Sequence, residues 1–283
     1  KIATMAIDLY AAESTVYLTA GLVDAKRHGR AIDYSVETAC AKVLASETLW
    51  RTATEAGQIA AGCGYANDYP YERLLRDSRL FTMFPGGTNE VLRCYVALTG
   101  LAGPGDQLAR LADAIKFPLR GYGLVVESLV DKVRTAAYGR AMLGRHHPRL
   151  KREAVLIEDT VESLAREVDR VLRRHGRFIP EMQYVQRRVA NVVIDLFAMC
   201  ACVSRASAAL YQSDARGGHA IPEAGGELDR AEREIRLCSG FCSRASTRIQ
   251  ETLSCFTHND DELMKTIADD CYSGRPYPFE AML

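Results

Sequence analysis

The sequence predicts an all-α protein made of two consecutive antiparallel helical bundles, without a β-domain. Three observations predict this fold class. Apolar residues recur at helical spacing over long segments, the alternation typical of strands is almost absent, and the links between segments are short. The chain has 283 residues, of which 48% are hydrophobic and 25% are charged. Such a composition excludes disordered and collagen-like proteins.

The first half of the chain contains four predicted helices. Gly62-Cys63-Gly64 is expected to end the second helix as a glycine C-cap, and Thr88 is expected to cap the fourth. The glycines and the proline within 100–105 predict a hinge, with a domain boundary near residue 103. The four helices are predicted over residues 1–27, 33–61, 72–77 and 89–101.

The second half is also predicted to be helical. Pro148 is placed to open a long helix at its first position, Gly176 ends that helix, and Pro180 opens the next one. A glycine-rich loop is expected over 216–226. The predicted helices cover residues 106–116, 121–143, 147–175, 180–211, 228–256 and 259–271. The resulting domains are 1–103 and 104–272, followed by an irregular tail over 273–283.

Charge, hydropathy and cysteine content limit the function classes. Lys plus Arg equals Asp plus Glu at 36 each, and a neutral chain has no general affinity for nucleic acid. No uninterrupted apolar run reaches the roughly 18 residues of a membrane span, because Asp195 interrupts the longest one. Nine cysteines without framework spacing predict free thiols in a reducing compartment. Cys238 and Cys242 are expected to pack in the core, and no metal site is predicted.

The densest group of turn and polar residues lies between positions 58 and 93. It contains Gln58 with Gly62 and Gly64, then Tyr71-Glu72-Arg73-Leu74-Leu75-Arg76-Asp77, then Gly87-Thr88-Asn89-Glu90 with Arg93. Two glycine turns before a polar helix start are able to hold phosphate or amide groups of a ligand. A helical corner with ordinary caps is the other interpretation, and spacing alone favours it.

These three blocks, in this order and at nearly this spacing, resemble the C-terminal helical domain of acyl-CoA dehydrogenases. The second half resembles the extra C-terminal helical region of the very-long-chain branch, which includes a relative that serves as an assembly factor for respiratory complex I. The segments that carry this second resemblance are Phe117-Pro118, Gly121-Tyr122-Gly123-Leu124, Gln186-Arg187-Arg188, 194–199 and 204–207.

The resemblance implies a flavin-dependent fold. Members of the family oxidise acyl-CoA thioesters, with a glutamate that removes the α-proton and FAD that takes the hydride. The cofactor-binding roles would fall on Gln58, Gly62 and Gly64, which would contact the flavin nucleotide of a neighbouring subunit. Thr88 and Asn89 would also lie at the flavin. The glutamate would immediately precede Gly-Thr-Asn.

This chain departs from the family pattern at the position of the base. The family has Phe-Glu-Gly-Thr-Asn, whereas this sequence has Phe84-Pro85-Gly86-Gly87-Thr88-Asn89, which is one residue longer. Neither Pro85 nor Gly86 has a side chain that accepts a proton. The N-terminal helical lobe and the central β-domain of the family are not in this chain, and Lys1 begins a helix without a cap, as in a fragment or a processed chain. We therefore expect no catalytic residue and no bound cofactor in this chain.

The expected function is a non-catalytic, accessory or assembly component of a mitochondrial inner-membrane respiratory complex on the matrix side, with complex I favoured by analogy. Partner subunits, either a second copy or a large complex, are expected to cover apolar faces that include Leu9, Tyr17, Leu44 and Trp50. The weakly basic segment 145–188 is expected to be a solvated helix face, which its charge alone favours, or a surface that contacts a membrane or an acidic partner. The alternative function is the C-terminal part of an active, FAD-dependent long-chain acyl-CoA dehydrogenase.

Overall fold

The computed structural model describes residues 1–84, 87–116, 146–215 and 227–275, with the side chains of 107–116 and 227–229 left out of the description. Within these ranges all regular structure is helical, which confirms the predicted fold class. Several predicted features lie outside the described residues. They are Pro85-Gly86, the motifs at 117–124, the helix over 121–143, the loop over 216–226 and the tail beyond 275.

Nine α-helices occur in the described ranges. Two short 3-10 helices, Pro148–Leu150 and Gly176–Glu181, precede α6 and α7 respectively. The helices are α1 Ile2–Arg27, α2 Ser35–Ala60, α3 Gly62–Tyr65, α4 Tyr71–Leu80, α5 Asn89–Lys116, α6 Lys151–His175, α7 Gln183–Ala215, α8 Glu227–Ser254 and α9 Asp261–Tyr272.

The hinge predicted at 100–105 is wrong, because α5 continues through this segment with Pro104 inside the helix. Gly and Pro lower helix propensity, but tertiary packing overrides propensity. Leu101 is buried at 4% exposure, and the space beside Gly105 is bounded by the Leu172 side chain of α6. The domain boundary near residue 103 stays a prediction, and α5 has no break at that position.

The centre of the molecule is α7, which packs against α1, α2, α5, α6 and α8. The buried apolar side chains of both halves form one contiguous core. Its largest fully buried member is Phe241 of α8. Leu44, expected to lie on an exposed face, is also in this core at 6% exposure. The two predicted bundles therefore share their packing surface.

Charged and polar groups line the contact of α1 with α7 and α8. The Tyr10 hydroxyl donates to Glu234 Oε2 at 3.0 Å, and Arg205 lies over the Tyr10 ring while its Nε is 3.3 Å from Glu234. Asp8 is nearly buried and lies 3.4 Å from Arg244 Nη1. Burial, followed by the Glu234 charge, raises the pKa of Tyr10. These contacts join the first helix of the chain to the second half.

By length and composition, α7 alone among the described helices passes a test for a membrane-spanning helix, with a mean hydropathy of 1.7 over its best window. Half of that window is buried inside the protein. Asp195, which interrupts the apolar run, accepts from Arg248 of α8, with Oδ1 2.6 Å from Nη2. Packing in the core thus accounts for the apolar composition of α7.

All nine cysteines lie in the described ranges and are free. Cys238 and Cys242 are fully buried on α8, as expected for core residues. Burial raises the pKa of the Cys40 thiol to about 12 and that of Cys200 to about 11. Because the thiolate is the reactive form, these buried thiols are inert near neutral pH.

Candidate functional site

The predicted site residues lie on a helical corner that we define as the end of α2, α3, α4, residues 81–84 and 87–88, and the first turn of α5. The turn between α2 and α3 is at Ala61, whose φ of 50° is left-handed. The sequence prediction placed the glycine C-cap at 62–64, one residue too late. Ala61 is the only described non-glycine residue with a positive φ, and such a conformation costs an alanine of order 1 kcal/mol.

Gly64 is required by a close backbone approach. A Cβ atom placed on Gly64 would lie 2.1 Å from the carbonyl oxygen of Gly57, which is closer than any real contact. This approach allows α3 to fold back on the last turn of α2. Gly62 differs, because a Cβ there would meet nothing within 4 Å. Beside it, the Gln58 side chain is exposed, and the surface around these two residues is open to a ligand.

The loop before α5 is fixed to α2 through Asn89, which is 4% exposed. Its Nδ2 donates to Ser46 Oγ at 3.0 Å and to Glu47 Oε1 at 3.3 Å, and its Oδ1 accepts from Lys42 Nζ at 2.8 Å. Lys42 Nζ also donates to the carbonyl of Gly87 at 2.9 Å. Burial lowers the pKa of Lys42. The amide of Asn89 is thus used within the chain.

Thr88 acts as the helix cap that the sequence predicts, because its Oγ1 accepts from the backbone N–H of Val91 at 3.3 Å. The Thr88 side chain is otherwise exposed. It therefore lies at the surface, whereas its neighbour Asn89 points into the protein. A ligand at this helix start would meet the hydroxyl of Thr88 before the amide of Asn89.

The structure does not bring the predicted site residues into one pocket. Gln58, Gly62 and Gly64 lie at the end of α2, whereas Thr88 and Asn89 are tied to α2 near Ser46. Ser46 and Gln58 are twelve residues apart on one helix, which is about 18 Å along its axis. The resemblance assigns the glycine group to a neighbouring subunit's nucleotide, and a separation of this size fits two contact points rather than one.

Arg93, which the third sequence block contains but to which no role was assigned, is buried. Arg93 Nη2 lies 2.7 Å from Glu47 Oε1, and its Nε donates to Asn191 Oδ1 of α7 at 2.8 Å. This guanidinium joins α2, α5 and α7 directly behind Asn89. One sequence signal for this polar cluster was available. Lys42 and Ser46 lie one turn apart on α2, a helix that also buries Val43.

A histidine paired with a carboxylate lies at the start of the second half. His147 is only 6% exposed. Its Nε2 lies 2.9 Å from Asp214 Oδ2, and its Nδ1 accepts from the Arg149 N–H at 3.3 Å. The imidazole thus caps the 3-10 turn before α6. Within the described ranges, no group of three or more His, Cys, Asp or Glu side chains is placed to hold a metal ion.

Comparison with known families divides the chain into two matched parts. Residues 1–100 match the acyl-CoA dehydrogenase C-terminal domain, and residues 148–276 match the family described as ACAD9/ACADV, C-terminal domain. The chain belongs to the acyl-CoA dehydrogenase family. Both matched parts are C-terminal domains, and the second confirms the resemblance to the very-long-chain branch.

The relatives of this acyl-CoA dehydrogenase chain extend beyond the aligned region. The very long-chain specific acyl-CoA dehydrogenase, mitochondrial, of Rattus norvegicus is 32% identical over 265 residues, which cover 93% of this chain and 38% of that protein. The Homo sapiens protein of the same name is 34% identical over 257 residues, with 90% of this chain and 36% of that protein covered. The chain thus spans under two-fifths of the length of these relatives.

A solved structure supports the fold. The crystal structure of an acyl-CoA dehydrogenase from Bacillus anthracis, complexed with FAD, superposes with a TM-score of 0.65. The two sequences are 23% identical, and the match covers 98% of this chain and 45% of the other. At this identity the likeness concerns the fold alone.

The described residues thus have the helical fold of the acyl-CoA dehydrogenase C-terminal domain. Two carboxylates contact residues at the start of α5. Glu47 accepts from Asn89 and pairs with Arg93, and Glu90 Oε1 lies 3.5 Å from Arg93 Nη1. Both carboxylates thus lie within ion-pair distance of the same guanidinium.

Proposed function

We propose that this chain is a non-catalytic acyl-CoA dehydrogenase-like component that serves protein assembly. The observation that carries the proposal is the sequence Phe84-Pro85-Gly86-Gly87-Thr88-Asn89, in which no carboxylate precedes Gly-Thr-Asn. α-Proton abstraction needs a base within hydrogen-bond reach of the proton. Glu47 and Glu90 are held by Arg93 and are poor replacements, since each would have to leave an ion pair.

The assembly role is supported by exposed apolar side chains on the corner and on α1. Tyr17 is 72% exposed, Phe84 is 63% exposed and Leu9 is 53% exposed. Soluble monomers rarely expose contiguous apolar patches beyond several hundred Å². We infer a standing protein partner, either a second copy of this chain or other subunits, with an interface of the permanent class above about 2,000 Å².

The proposed location is the matrix side of the mitochondrial inner membrane, within a respiratory complex. The names of the rat and human relatives include the word mitochondrial, which supports the organelle. Complex I is favoured by analogy with the assembly factor of the resembled branch. No nucleic acid is expected as a partner.

The second candidate function is the C-terminal part of an active, FAD-dependent long-chain acyl-CoA dehydrogenase of fatty-acid β-oxidation. Identity of 32–34% to very long-chain specific enzymes over nine-tenths of the chain favours it. Gln58, Gly62 and Thr88 are accessible and fit contacts with a flavin nucleotide, which would supply the hydride acceptor. The buried amide of Asn89 fits a role in holding the loop.

Restoring the family loop tests the absence of the base. In the native polypeptide that carries this chain, P85E combined with deletion of Gly86 is expected to produce acyl-CoA-dependent reduction of an artificial electron acceptor. P85Q with the same deletion is the matched control, because it restores the loop length without a carboxylate. Flavin retention by all proteins is checked by absorbance. Acyl-CoA-dependent activity of the unchanged protein would overturn the non-catalytic assignment, and no gain in the flavin-bound P85E variant would show that the loop is not the defect.

The partner is tested separately by native purification. We expect the protein to co-migrate with mitochondrial membrane subunits in a complex whose subunits are named by mass spectrometry. Enrichment of a flavin-bound homo-oligomer with acyl-CoA oxidation activity would instead establish the enzyme. A colourless, solitary monomer would contradict both functions.

A further inference from the structure

A pocket that shares no lining residue with the corner opens near the end of α6. It lies between the end of α6, the 3-10 turn at 176–181, the first turn of α7 and the first turn of α9, and has a volume of about 290 Å³. Its floor is apolar, since Val171, Val185 and Phe256 are each at most 8% exposed, and Met182 beside them is half-buried. None of these residues contributes to the predicted cofactor site.

One wall of the pocket is a fixed ion pair. Arg188 of α7 donates to both carboxylate oxygens of Asp261, with a Nη1–Oδ2 distance of 2.7 Å. The two side chains are only 15% and 19% exposed. Bidentate pairs of this kind restrict geometry strongly. The pair therefore holds α9 against α7 and gives the pocket a fixed shape.

The pocket lining carries charges of both signs, with four acidic and four basic side chains besides His175. Arg174 has no carboxylate partner among the described residues, and Lys265 is paired only with the exposed Glu262, at 2.7 Å. Burial, followed by the positive charges of Arg174 and Lys265, lowers the pKa of the His175 imidazole. Of the other acids at the pocket, Glu167 is held by two 2.7 Å bonds from Arg170, which leaves Glu181 at the edge.

We propose that this pocket binds an amphipathic carboxylate, with a short acyl chain on the apolar floor and the carboxylate at Arg174 and Lys265. Small-molecule pockets combine a mostly apolar lining with a few placed polar groups. A volume at the low end of the usual range of roughly 300–1,000 Å³ suits a single short chain. Arg174 supplies donors without an internal acceptor, which an incoming carboxylate provides. This site does not depend on the function proposed above.

Calorimetric titration of the full chain tests both halves of the proposed ligand. Octanoate is the probe, acetate carries the head alone and 1-octanol carries the tail alone. We expect saturable, one-site binding of octanoate and at least about tenfold weaker binding of the other two compounds. Inorganic phosphate is a further arm, and it is expected to compete weakly, because it cannot contact the floor.

Substitutions at the rim assign the site. R174Q is expected to weaken octanoate binding about tenfold, the loss typical of one charge-assisted hydrogen bond, and R174K is expected to retain part of it. The matched control is R173Q, since Arg173 is the neighbouring exposed arginine, pairs with Asp169 at 2.8 Å and does not line the pocket. Thermal unfolding confirms that each variant is folded.

Three results would overturn the proposal. They are absence of saturable octanoate binding, equal affinity for octanoate and acetate or phosphate, and equal octanoate affinity in R174Q and R173Q. The second result would indicate a general anion site without an acyl pocket. The third would locate any binding elsewhere on the chain.

Discussion

The contact between α7 and α8 differs sharply from the corner around α3 and α4. Within the α7–α8 contact, small side chains are completely buried, and among them are Ala198, Cys202 and Ala206 of α7 with Cys238 and Ala245 of α8. On the corner, large side chains are exposed, with Tyr65 at 90% and Phe84 at 63%. The exposed rings at the corner are the unusual feature, because large apolar side chains are more often buried.

The difference shows which apolar surfaces are covered within the chain and which are left exposed. Small residues let two helices approach closely, and the contact of α7 with α8 is then close-packed without any other molecule. Large apolar residues left in water at the corner gain their stabilisation only when another surface covers them. The first region therefore stabilises the fold, and the second is available for partner or nucleotide contacts.

The largest difference is expected for a matched pair of phenylalanine truncations. F241A removes the largest fully buried side chain and should lower the free energy of unfolding by about 3–5 kcal/mol. F84A removes an exposed ring and should change it by no more than about 0.5 kcal/mol. Urea unfolding followed by circular dichroism measures both. Similar losses in the two variants would show that the corner is packed within the chain.

The buried arginine behind the corner is expected to contribute next. R93M leaves Glu47 and Asn191 without their partner and should destabilise the protein by roughly 2–3 kcal/mol. The control is R76M, because Arg76 pairs with Glu72 on the surface at 3.2 Å and exposed pairs contribute under about 1 kcal/mol. Equal midpoints in urea for these two variants would contradict the structural role of Arg93.

The two glycines of the first block should respond differently to alanine. G64A forces a methyl group against the Gly57 carbonyl and should cost about 1–3 kcal/mol, as overpacking does. G62A meets open space and should change stability by less than about 0.5 kcal/mol. Thermal unfolding compares them. A harmless G64A would show that α3 does not fold back on α2.

Alkaline pH should destabilise the core gradually. The pKa of Cys40 is raised to about 12 by burial, so the folded state keeps a proton that the unfolded state releases above about pH 9. Stability is therefore complete below that pH and decreases as pH rises toward 12, by about 1.4 kcal/mol per unit for this group. C40A should reduce the slope of unfolding free energy against pH. An unchanged slope would indicate that Cys40 reaches solvent.

Most helices of the fold could be predicted from the sequence, because their signals are local. Gly176 ends α6 as expected with a φ of 50°, whereas Pro148 opens a short 3-10 helix and α6 itself begins at Lys151. The predictions were wrong where packing between residues that are far apart in the sequence determines the local structure. α5 passes through Pro104 because it packs on α6, and Leu44 is buried by helices far away in sequence.

The candidate site could be predicted less completely. The cap at Thr88 follows from residue type, whereas the exposure of Gln58 does not follow from the motif. The inward amide of Asn89 depends on Lys42 and Ser46, more than forty residues earlier. Such long-range hydrogen bonds leave no local pattern that a single sequence displays.

The most direct test of the central claim is acyl-CoA oxidation by the unchanged native polypeptide, supplied with FAD and a long-chain acyl-CoA. Reduction of an electron acceptor and loss of flavin absorbance are followed together. The account predicts that neither occurs above the rate of a protein-free control, because Pro85 and Gly86 accept no proton. Turnover that requires both the protein and the acyl-CoA would contradict it and identify the chain as part of a working dehydrogenase.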